Sequence, residues 1–499
     1  MLLRDLTAGI KGVCRAYDEA VWTIDIHEVK DDSRVVAEGD VFVALKGENQ
    51  DGHTFLDQAV ENGASVVMIE NKDYIREGIP WILVKDSREV YGIMKQALVG
   101  KPSTKLSVIG ITGTNGKTTV AHMLTAILEE AGKSVGLMGT ISNRIAGVET
   151  KAELTTPGSA ELAELFAQMA AAQADYVVME VSSHALDQSR TAGIEFDLAI
   201  FTNLSQDHLD YHGTQSAYLH AKAKLFSGLN PQGVKSRKKA AVLNADDAAS
   251  EILADYCRVP VITYGVSELC YLRAEDIQLA SSGIRYKLVY GTQQYPLSLK
   301  LNGRFNVYNS LAAISAALIE GIEIQVIIRA LEKMQPVRGR FQQVEDEGHI
   351  LPYTIYIDFA HTPDGLEQCI STARELCNGR ILTVFGCGGH RDSTKRPLMG
   401  EVAARLSDIV VVTSDNPRDE EPMAIIEDIL QGVGSPSASA EVLIEADRAA
   451  AIRLAASRAS EGDVILICGK GHEDYQIIGQ EKRPFDDYQE AQKLMIRGS

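Results

Sequence analysis

The sequence is poor in the residues that build covalent cross-links and thiolate metal sites. It has seven cysteines among 499 residues; they are scattered, and none forms a C-x-x-C pair. An odd number without such a spacing indicates neither a disulfide framework nor a cysteine-bound zinc site. We therefore expect reduced thiols that are mostly buried in apolar cores.

Long apolar runs are also missing. Nowhere does the chain reach the run of about 18 uncharged apolar residues that a membrane-spanning helix needs. The start, MLLRDLTAGIKG, has no sustained apolar segment of the kind found in secretion signals. We predict a cytoplasmic protein without a membrane span.

Positive charge is in short supply. The chain has 49 Lys and Arg against 68 Asp and Glu, which gives a formal net charge of −19. Such a field repels phosphate backbones, and no local basic patch offsets it, so we predict no nucleic-acid partner. Small anionic substrates remain compatible with this charge because a few local cations suffice to bind them.

The chain is too long for one hydrophobic core, since single cores stop growing at about 250 to 300 residues. Strand-like runs alternate with helical stretches, which predicts an α/β protein with parallel sheets. A turn-rich joint at 100–105 and a reset of the pattern near 334–341 predict three domains. These are a small N-terminal α/β domain (1–102), a central α/β domain with a parallel sheet (103–335), which contains the phosphate loop described next and which the family resemblance given below implies to be the ATPase domain, and a C-terminal Rossmann-like α/β domain (336–499).

The stretch SVIGITGTNGKTTVAHML has the strand, glycine turn and helix that a phosphate loop requires. Gly113 and Gly116 would let backbone N–H groups approach phosphates, Lys117 would supply a point charge, and Thr118 a hydroxyl for Mg²⁺. The general pattern G-x-x-x-x-G-K-[ST] is missed at its first position, where Ile111 stands. Phosphate binding explains Gly-Lys-Thr in this context better than an ordinary turn does.

Polar groups follow the next strands. Glu180 ends one strand, and His208 follows another; both would reach a metal near Thr118 if their strands neighbour the first one. A histidine in a polar loop is more often a surface or capping residue, so this alternative stays open. On a later helix, Lys222 and Lys224 stand among apolar residues, where lysines commonly extend to solvent.

The quoted motifs resemble the Mur ligases, ATP-dependent enzymes that form amide bonds in peptidoglycan synthesis. The similar segments are TGTNGKTT, MEVSSHAL, NLSQDHLDYHG, YLHAKAKLF, GRFNVYN and DFAHTPD. The segments DSRVVAEGDVFVALKG and DGHTF resemble the family's N-terminal UDP-binding domain, so the likeness covers essentially the whole chain.

The resemblance implies an enzyme that phosphorylates a substrate carboxylate with ATP and lets an amine attack the acyl phosphate. Mg²⁺ would be held by Thr118, Glu180 and His208. Lys222 would be carbamoylated to N6-carboxylysine, and Lys117, Lys222 and His208 would be catalytic. The implied ATP-binding residues are Gly113, Thr114, Asn115, Gly116, Lys117, Thr118, Thr119, Asn306, Asn309, Arg340 and Asp358.

The carboxylate substrate implied by the family is UDP-N-acetylmuramoyl-L-alanyl-D-glutamate. Thr155 and Thr156 precede a proline in what is also an ordinary helix-entry sequence, so a structural role is the alternative. The residues implied to contact this substrate are Ser33, Thr155, Thr156, Ser182, Gln188 and Arg190.

The amine substrate follows from the segment TSDNPRDEEP. On spacing alone, SDNPR is a turn and Arg418 a solvated charge. The Asp-Asn-Pro-Arg tetrapeptide resembles the family members that add meso-diaminopimelate, whose distal carboxylate an arginine would pair. A departure from many relatives is His390, where they have Asp. The implied contacts are Arg391, Asp415, Asn416, Pro417, Arg418, Gly469 and Glu473.

Several alternatives remain at this point. Within the same chemistry they are a lysine-adding ligase and, further off, a ligase of the folylpolyglutamate type, which would lack the DSR domain. From other classes they are a phosphate-loop NTPase switch and a non-catalytic binding protein that keeps the fold. We predict a monomer that uses only small-molecule substrates.

Overall fold

The computed structural model describes residues 1–47, 50–280, 282–346, 348, 351–434 and 439–497. Its strands form sheets of five, eleven, six and two strands, and each sheet falls within one predicted segment. The structure thus has the mixed α/β architecture that the sequence predicts, whereas the domain boundaries stay a prediction. In the described residues, no helix combines the length and apolarity needed to cross a bilayer.

The N-terminal sheet has the strand order β1-β5-β4-β3-β2, with only β1 antiparallel to its neighbour. Its strands are β1 (Val13–Ala16), β2 (Val29–Lys30), β3 (Val41–Val43), β4 (Val66–Ile69) and β5 (Trp81–Val84). The helices of this segment are α1 (Leu3–Leu6), α2 (Leu56–Glu61) and α3 (Ser87–Leu98).

The central sheet carries the phosphate loop. Its strands are β6 (Ser107–Thr112), β7 (Val135–Met138), β8 (Ser142–Ile145), β9 (Val148–Lys151), β10 (Tyr176–Glu180), β11 (Leu198–Phe201), β12 (Ala240–Asn244), β13 (Val261–Gly265), β14 (Leu272–Ala280), β15 (Gly283–Tyr290) and β16 (Gln293–Leu299). Its helices are α4 (Lys117–Glu130), α5 (Ser159–Ala171), α6 (Ser183–Asp187), α7 (Leu209–His212), α8 (Gln215–Ser227), α9 (Ala249–Tyr256), α10 (Phe305–Ile319) and α11 (Ile324–Lys333).

The order of this sheet is β16-β15-β14-β13-β12-β11-β6-β10-β7-β8-β9. The strands that follow β6 in the chain are added first on one side of it and then on the other, so the loop after β6 lies where the strand order reverses. Strands β10 and β11 flank β6 in parallel, and the sheet is parallel from β14 to β7. Antiparallel hairpins extend it at both edges. Ligands bind at such a reversal point, outside the carboxyl ends of the strands.

Both faces of the central sheet are covered by apolar packing. Helices α4 and α10 bury one face, and α5 and α8 bury the other. Every residue of β6, β10 and β11 is buried, as expected for parallel strands covered on both sides. The strand ends therefore stand on a rigid core, and the polar residues that follow them are positioned accurately.

The C-terminal sheet has the order β17-β18-β22-β19-β20-β21, and only β17 is antiparallel. The strands are β17 (Gln342–Gln343), β18 (Thr354–Asp358), β19 (Ile381–Phe385), β20 (Ile409–Val412), β21 (Glu441–Ile444), β22 (Val464–Cys468) and the separate hairpin of β23 (Tyr475–Ile478) and β24 (Glu481–Pro484). The helices are α12 (Pro363–Leu376), α13 (Lys395–Leu406), α14 (Pro422–Val433), α15 (Arg448–Arg458) and α16 (Asp487–Arg497).

A fully buried ion pair braces the ends of two of these strands. Arg448 donates from Nε and Nη2 to the Asp487 carboxylate, at 2.8 Å each. The same guanidinium donates to the carbonyls of Ser414, at 3.3 Å, and Cys468, at 2.9 Å. It therefore joins the loops after β20 and β22 to the last helix.

Arg448→Ala is expected to lower the free energy of unfolding by about 3–5 kcal/mol, because it leaves the Asp487 carboxylate buried without its counter-ion. Chemical denaturation measures this change. Arg458→Ala is the matched control, since Arg458 lies on the same helix and pairs with Glu441 in an exposed position. Equal small losses for both variants would contradict a bracing role for Arg448.

Candidate active site

Residues of the central and C-terminal sheets line one cavity of about 950 Å³. It brings together the phosphate loop after β6 and the segments that follow β18, β19, β20 and β22. The predicted residues that line it are Thr114, Asn115, Gly116, Lys117, Thr118, Thr119, Thr155, Thr156, Glu180, Ser182, Arg190, His208, Asn309, Arg340, Asp358, Arg391, Asp415, Asn416, Arg418, Gly469 and Glu473.

The phosphate loop is closely packed against the residues that follow the neighbouring strand β11. Gly113 has a φ of 147°, and a Cβ there would lie 1.9 Å from Thr202 Oγ1, so glycine is required. Lys117, the first residue of α4, donates to the carbonyls of Gly113 at 2.9 Å and Thr114 at 2.8 Å. Burial lowers the pKa of Lys117. The loop and the helix N-terminus together suit an anionic phosphate chain.

Thr118 and Glu180 meet at the floor of the cavity. Thr118 Oγ1 donates to Glu180 Oε2 at 3.0 Å, and Arg340 Nη2, from the C-terminal segment, donates to the same hydroxyl at 2.9 Å. Thr140 holds the carboxylate with its N–H and its hydroxyl, at 2.9 Å each. The sequence interpretation omitted Thr140, although it is a polar residue two positions after the end of the buried strand β7.

All three predicted magnesium ligands line this cavity, and two of them are hydrogen-bonded to each other. Thr118 and Glu180 form an oxygen pair that fits Mg²⁺, which commonly takes one or two protein carboxylates and completes its coordination with water and phosphate oxygens. His208 instead lies with its Nε2 3.3 Å from Asp207 Oδ2. Among the described residues, no three His, Cys, Asp or Glu side chains gather closely enough to hold a metal.

Asp207 connects the two segments that form the cavity. His361 Nε2 and Lys395 Nζ, both from the C-terminal segment, lie 3.7 and 3.6 Å from its oxygens. Burial would raise the pKa of Asp207, but His361, His208 and Lys395 outweigh it and hold that pKa well below its ordinary value. Burial also lowers the pKa of His208 to about 3, which favours a neutral imidazole. Sequence reasoning missed His361 and Lys395, although both follow strands of the C-terminal sheet.

Lys222 does not extend to solvent. Its side chain is buried behind the phosphate loop, where Nζ donates to the Gly113 carbonyl at 2.9 Å and lies 4.1 Å from the centre of the Tyr218 ring. Burial, and then the charge of Lys117, lower the pKa of Lys222 well below its ordinary value. Lys224, by contrast, is exposed and pairs with Asp187. The alternative that Lys222 is a solvated lysine is therefore wrong.

Two asparagines and an aspartate complete the nucleotide end. Asn309 lines the cavity and donates from Nδ2 to Asn306 Oδ1 at 2.9 Å, so Asn306 orients Asn309 from behind. Asp358 accepts the N–H groups of Phe341 at 2.6 Å and Ala360 at 2.7 Å. Its burial raises the pKa of Asp358.

A second cavity, of about 600 Å³, lies between the N-terminal and central segments. Ser33 and Gln188 line it, and Arg190 lines both cavities. Ser33 is buried and donates to Gln58 at 2.7 Å. Arg190 donates to Gln188 Oε1 at 3.0 Å and to the Thr156 carbonyl at 3.0 Å. An extended ligand could therefore reach from one cavity into the other.

The segment SDNPR forms the opposite wall of the first cavity. Arg418 has a φ of 54°, and its backbone is held by hydrogen bonds with Ile477, at 3.1 Å, and Gly479, at 2.7 Å. Its Nη1 donates to the Gly389 carbonyl at 2.7 Å. The arginine is half-buried rather than fully solvated, and burial lowers its pKa. Pro417 belongs to this loop but does not line the cavity.

Comparison with known proteins gives a consistent result along the chain. Three family profiles match: "Mur ligase family, catalytic domain" at 25–99, "Mur ligase middle domain" at 111–317 and "Mur ligase, glutamate ligase domain" at 339–471. A UDP-N-acetylmuramoyl-L-alanyl-D-glutamate--2,6-diaminopimelate ligase of Clostridium botulinum is 43% identical over 475 residues, 94% of this chain and 95% of that protein.

Two further matches carry the same name. A ligase of that name from Geobacillus thermodenitrificans is 44% identical over 463 residues, 93% of each chain. A solved structure of a protein of that name superposes with a TM-score of 0.69 at 31% identity, covering 100% of this chain and 99% of the other.

Proposed function

The chain belongs to the Mur ligase family, and we propose that it joins meso-2,6-diaminopimelate to UDP-N-acetylmuramoyl-L-alanyl-D-glutamate with ATP. The observation that carries the proposal is the single cavity shared by the phosphate loop and the SDNPR wall. A nucleotide site alone would suit many enzymes, but here it faces a cluster of two arginines and two carboxylates. The product would be the UDP-linked tripeptide of cytoplasmic peptidoglycan precursor synthesis.

The first step transfers the γ-phosphoryl group of ATP to the D-glutamate γ-carboxylate. The carboxylate oxygen forms the new bond to phosphorus, and ADP leaves with the electrons of the old one. Lys117 and Arg340 would neutralise charge on the moving group, which is the main contribution a protein makes to phosphoryl transfer. Both side chains line the cavity, and Arg340 already contacts Thr118.

Mg²⁺ would be held by Thr118 and Glu180, with His208 as the third predicted ligand. When bound, the ion would neutralise negative charge on the phosphate oxygens. The Thr140 hydrogen bonds to Glu180 would orient the carboxylate toward the ion, as outer-shell partners of metal ligands do.

The second step is attack of the amine nitrogen on the acyl carbon. A C–N bond forms, inorganic phosphate leaves, and the amine gives up a proton. We propose that the distal carboxylate of diaminopimelate pairs with Arg418 and Arg391, and that Asp415 and Glu473 bind its distal ammonium. Asp415 Oδ2 supports this, because it is buried and has no hydrogen-bond partner among the residues that the structure describes.

We also propose that Lys222 is carbamoylated. Its buried amine, with a lowered pKa, is the neutral nucleophile that this reaction needs. Nζ forms a bond to the carbon of CO₂, the electrons of one C=O π bond move onto oxygen, and one proton is released, so the neutral amine becomes a carbamate anion. The neighbouring Lys117 charge would stabilise that anion.

The proposal is tested by supplying ATP, Mg²⁺ and the UDP-muramoyl-dipeptide with meso-diaminopimelate, with L-lysine or with no amine. We expect the tripeptide product and ADP only with diaminopimelate, measured by chromatography and phosphate release. Equal product from lysine would contradict the diaminopimelate assignment. Nucleotide turnover that does not depend on any amine would favour an NTPase switch.

A further inference from the structure

Lys470 is a buried cation at the amino-acid end of the cavity, and the proposed reaction gives it no role. It follows Gly469 after strand β22, and its side chain is fully buried. Its Nζ donates to Glu473 Oε2 at 2.8 Å and to Asn416 Oδ1 at 3.1 Å. The ammonium thus touches two of the residues proposed to bind the amine substrate.

These contacts occupy one oxygen of the Glu473 carboxylate. Oε2 accepts from both Lys470 and Asn416 Nδ2, the latter at 2.9 Å. In the part of the chain that the structure describes, Oε1 has no protein donor within hydrogen-bond distance. Because Glu473 lines the cavity, its remaining acceptor is available to a ligand while Lys470 balances its charge.

Two arginines at this end of the cavity form no ion pair within the described residues. Arg391 and Arg418 line it, and neither has a carboxylate within ion-pair distance among the residues described. Asp392, Asp415 and Glu473 supply the negative charges that line this part of the cavity, and Lys470 adds a third cation beside Glu473. An unpaired positive charge in a half-buried pocket interacts strongly with whatever charge a ligand brings.

We propose that Lys470 is a specificity-determining residue that excludes amino acids whose far end is a lone ammonium. The inference rests on the proposed function. A far end with both an ammonium and a carboxylate, as in diaminopimelate, adds no net charge to the pocket. L-Lysine adds one positive charge and must compete with Lys470 for Glu473, so the pocket disfavours its binding. This effect is separate from the loss of the ion pairs that the two arginines would form with the distal carboxylate of diaminopimelate.

The matched alternative is that Lys470 only braces the loops after β20 and β22. A brace and a charge filter differ in what their removal does to lysine. Losing a brace disorders Asn416 and Glu473 and lowers the use of every amine. Losing the filter removes one positive charge and frees a carboxylate oxygen, which improves the use of lysine in absolute terms.

The test compares wild type with Lys470→Met, Lys470→Gln and Lys470→Arg. Initial rates with meso-diaminopimelate and with L-lysine give kcat/KM for each amine, and thermal melting reports folding. We expect Met and Gln to raise kcat/KM for L-lysine about tenfold or more, while Arg, which keeps the charge, does not raise it. Lys470→Gln keeps a hydrogen-bond donor toward Glu473 but removes the positive charge, so it still tests the effect of that charge if Lys470→Met fails to fold.

The control variant is Lys482→Met. Lys482 is exposed and lies 3.7 Å from the centre of the Tyr475 ring, which Lys470 approaches to 5.5 Å, so it removes a nearby lysine without touching Glu473. A folded Lys470→Gln enzyme whose kcat/KM for lysine is unchanged or lower would overturn the inference. A wild-type enzyme that forms no amide product with any amine, or that hydrolyses ATP at the same rate with and without an amine, would instead contradict the proposed function.

Discussion

Lys222→Ala is expected to lower kcat by about 100- to 1000-fold, the range seen when one group that stabilises developing charge is removed. The reason is that a carbamate on this side chain would place an anion directly behind the phosphate loop. In the unmodified side chain, Nζ lies 2.9 Å from the Gly113 carbonyl oxygen. Alanine cannot carry CO₂. Steady-state rates with saturating substrates measure the loss, and intact-protein mass spectrometry under mild conditions detects the modification.

Two observations separate this role from simple destabilisation. Lys224→Ala removes an exposed lysine from the same helix, α8, and should keep near wild-type turnover. Added formate or acetate should partly restore the activity of Lys222→Ala, since a small carboxylate can occupy the space of the missing carbamate. Full activity of the alanine variant would refute the role, as would a loss equal to that of Lys224→Ala.

Arg418→Ala should lower kcat/KM for meso-diaminopimelate by about 100-fold or more, because each well-formed charge-assisted hydrogen bond contributes about 1.5–3 kcal/mol and a bidentate pair loses two. The KM for ATP should change little, since the arginine lies on the wall opposite the phosphate loop. Discrimination against L-lysine should also fall, because lysine has no distal carboxylate and so loses no ion pair when Arg418 is removed. Competition assays with both amines measure this ratio.

The control for this variant is Arg483→Ala. Arg483 lies on β24 of the hairpin that holds the Arg418 backbone, but it is exposed and pairs with Glu481. It should leave the kinetics of both amines unchanged. A proportional loss of ATP and diaminopimelate use in Arg418→Ala would mean that Arg418 has a structural role only.

Much of the fold follows from local patterns. The buried strands β6, β10, β11, β18, β19, β20 and β22 are short β-branched or apolar runs, and such runs between helical stretches predict a parallel sheet. The hairpin of β8 and β9 and that of β23 and β24 were not predicted, because their exposed or mixed residues lack a clear alternation. The second of these hairpins nevertheless holds Arg418.

The sequence by itself determined the chemistry that this protein carries: the Gly-Lys-Thr loop, the acidic and basic residues after the strands, and the similarity to an amide-forming family. Those features are local, so they can be read from neighbouring residues. Only the tertiary structure decided which of them meet.

Three features of the site depend on strand order and on packing between segments far apart in the chain. They are the burial of Lys222, the contacts of Asp207 with His361 and Lys395, and the contacts of Lys470 with Glu473 and Asn416. Charge and desolvation act through space, and spacing along the chain does not report distance through space.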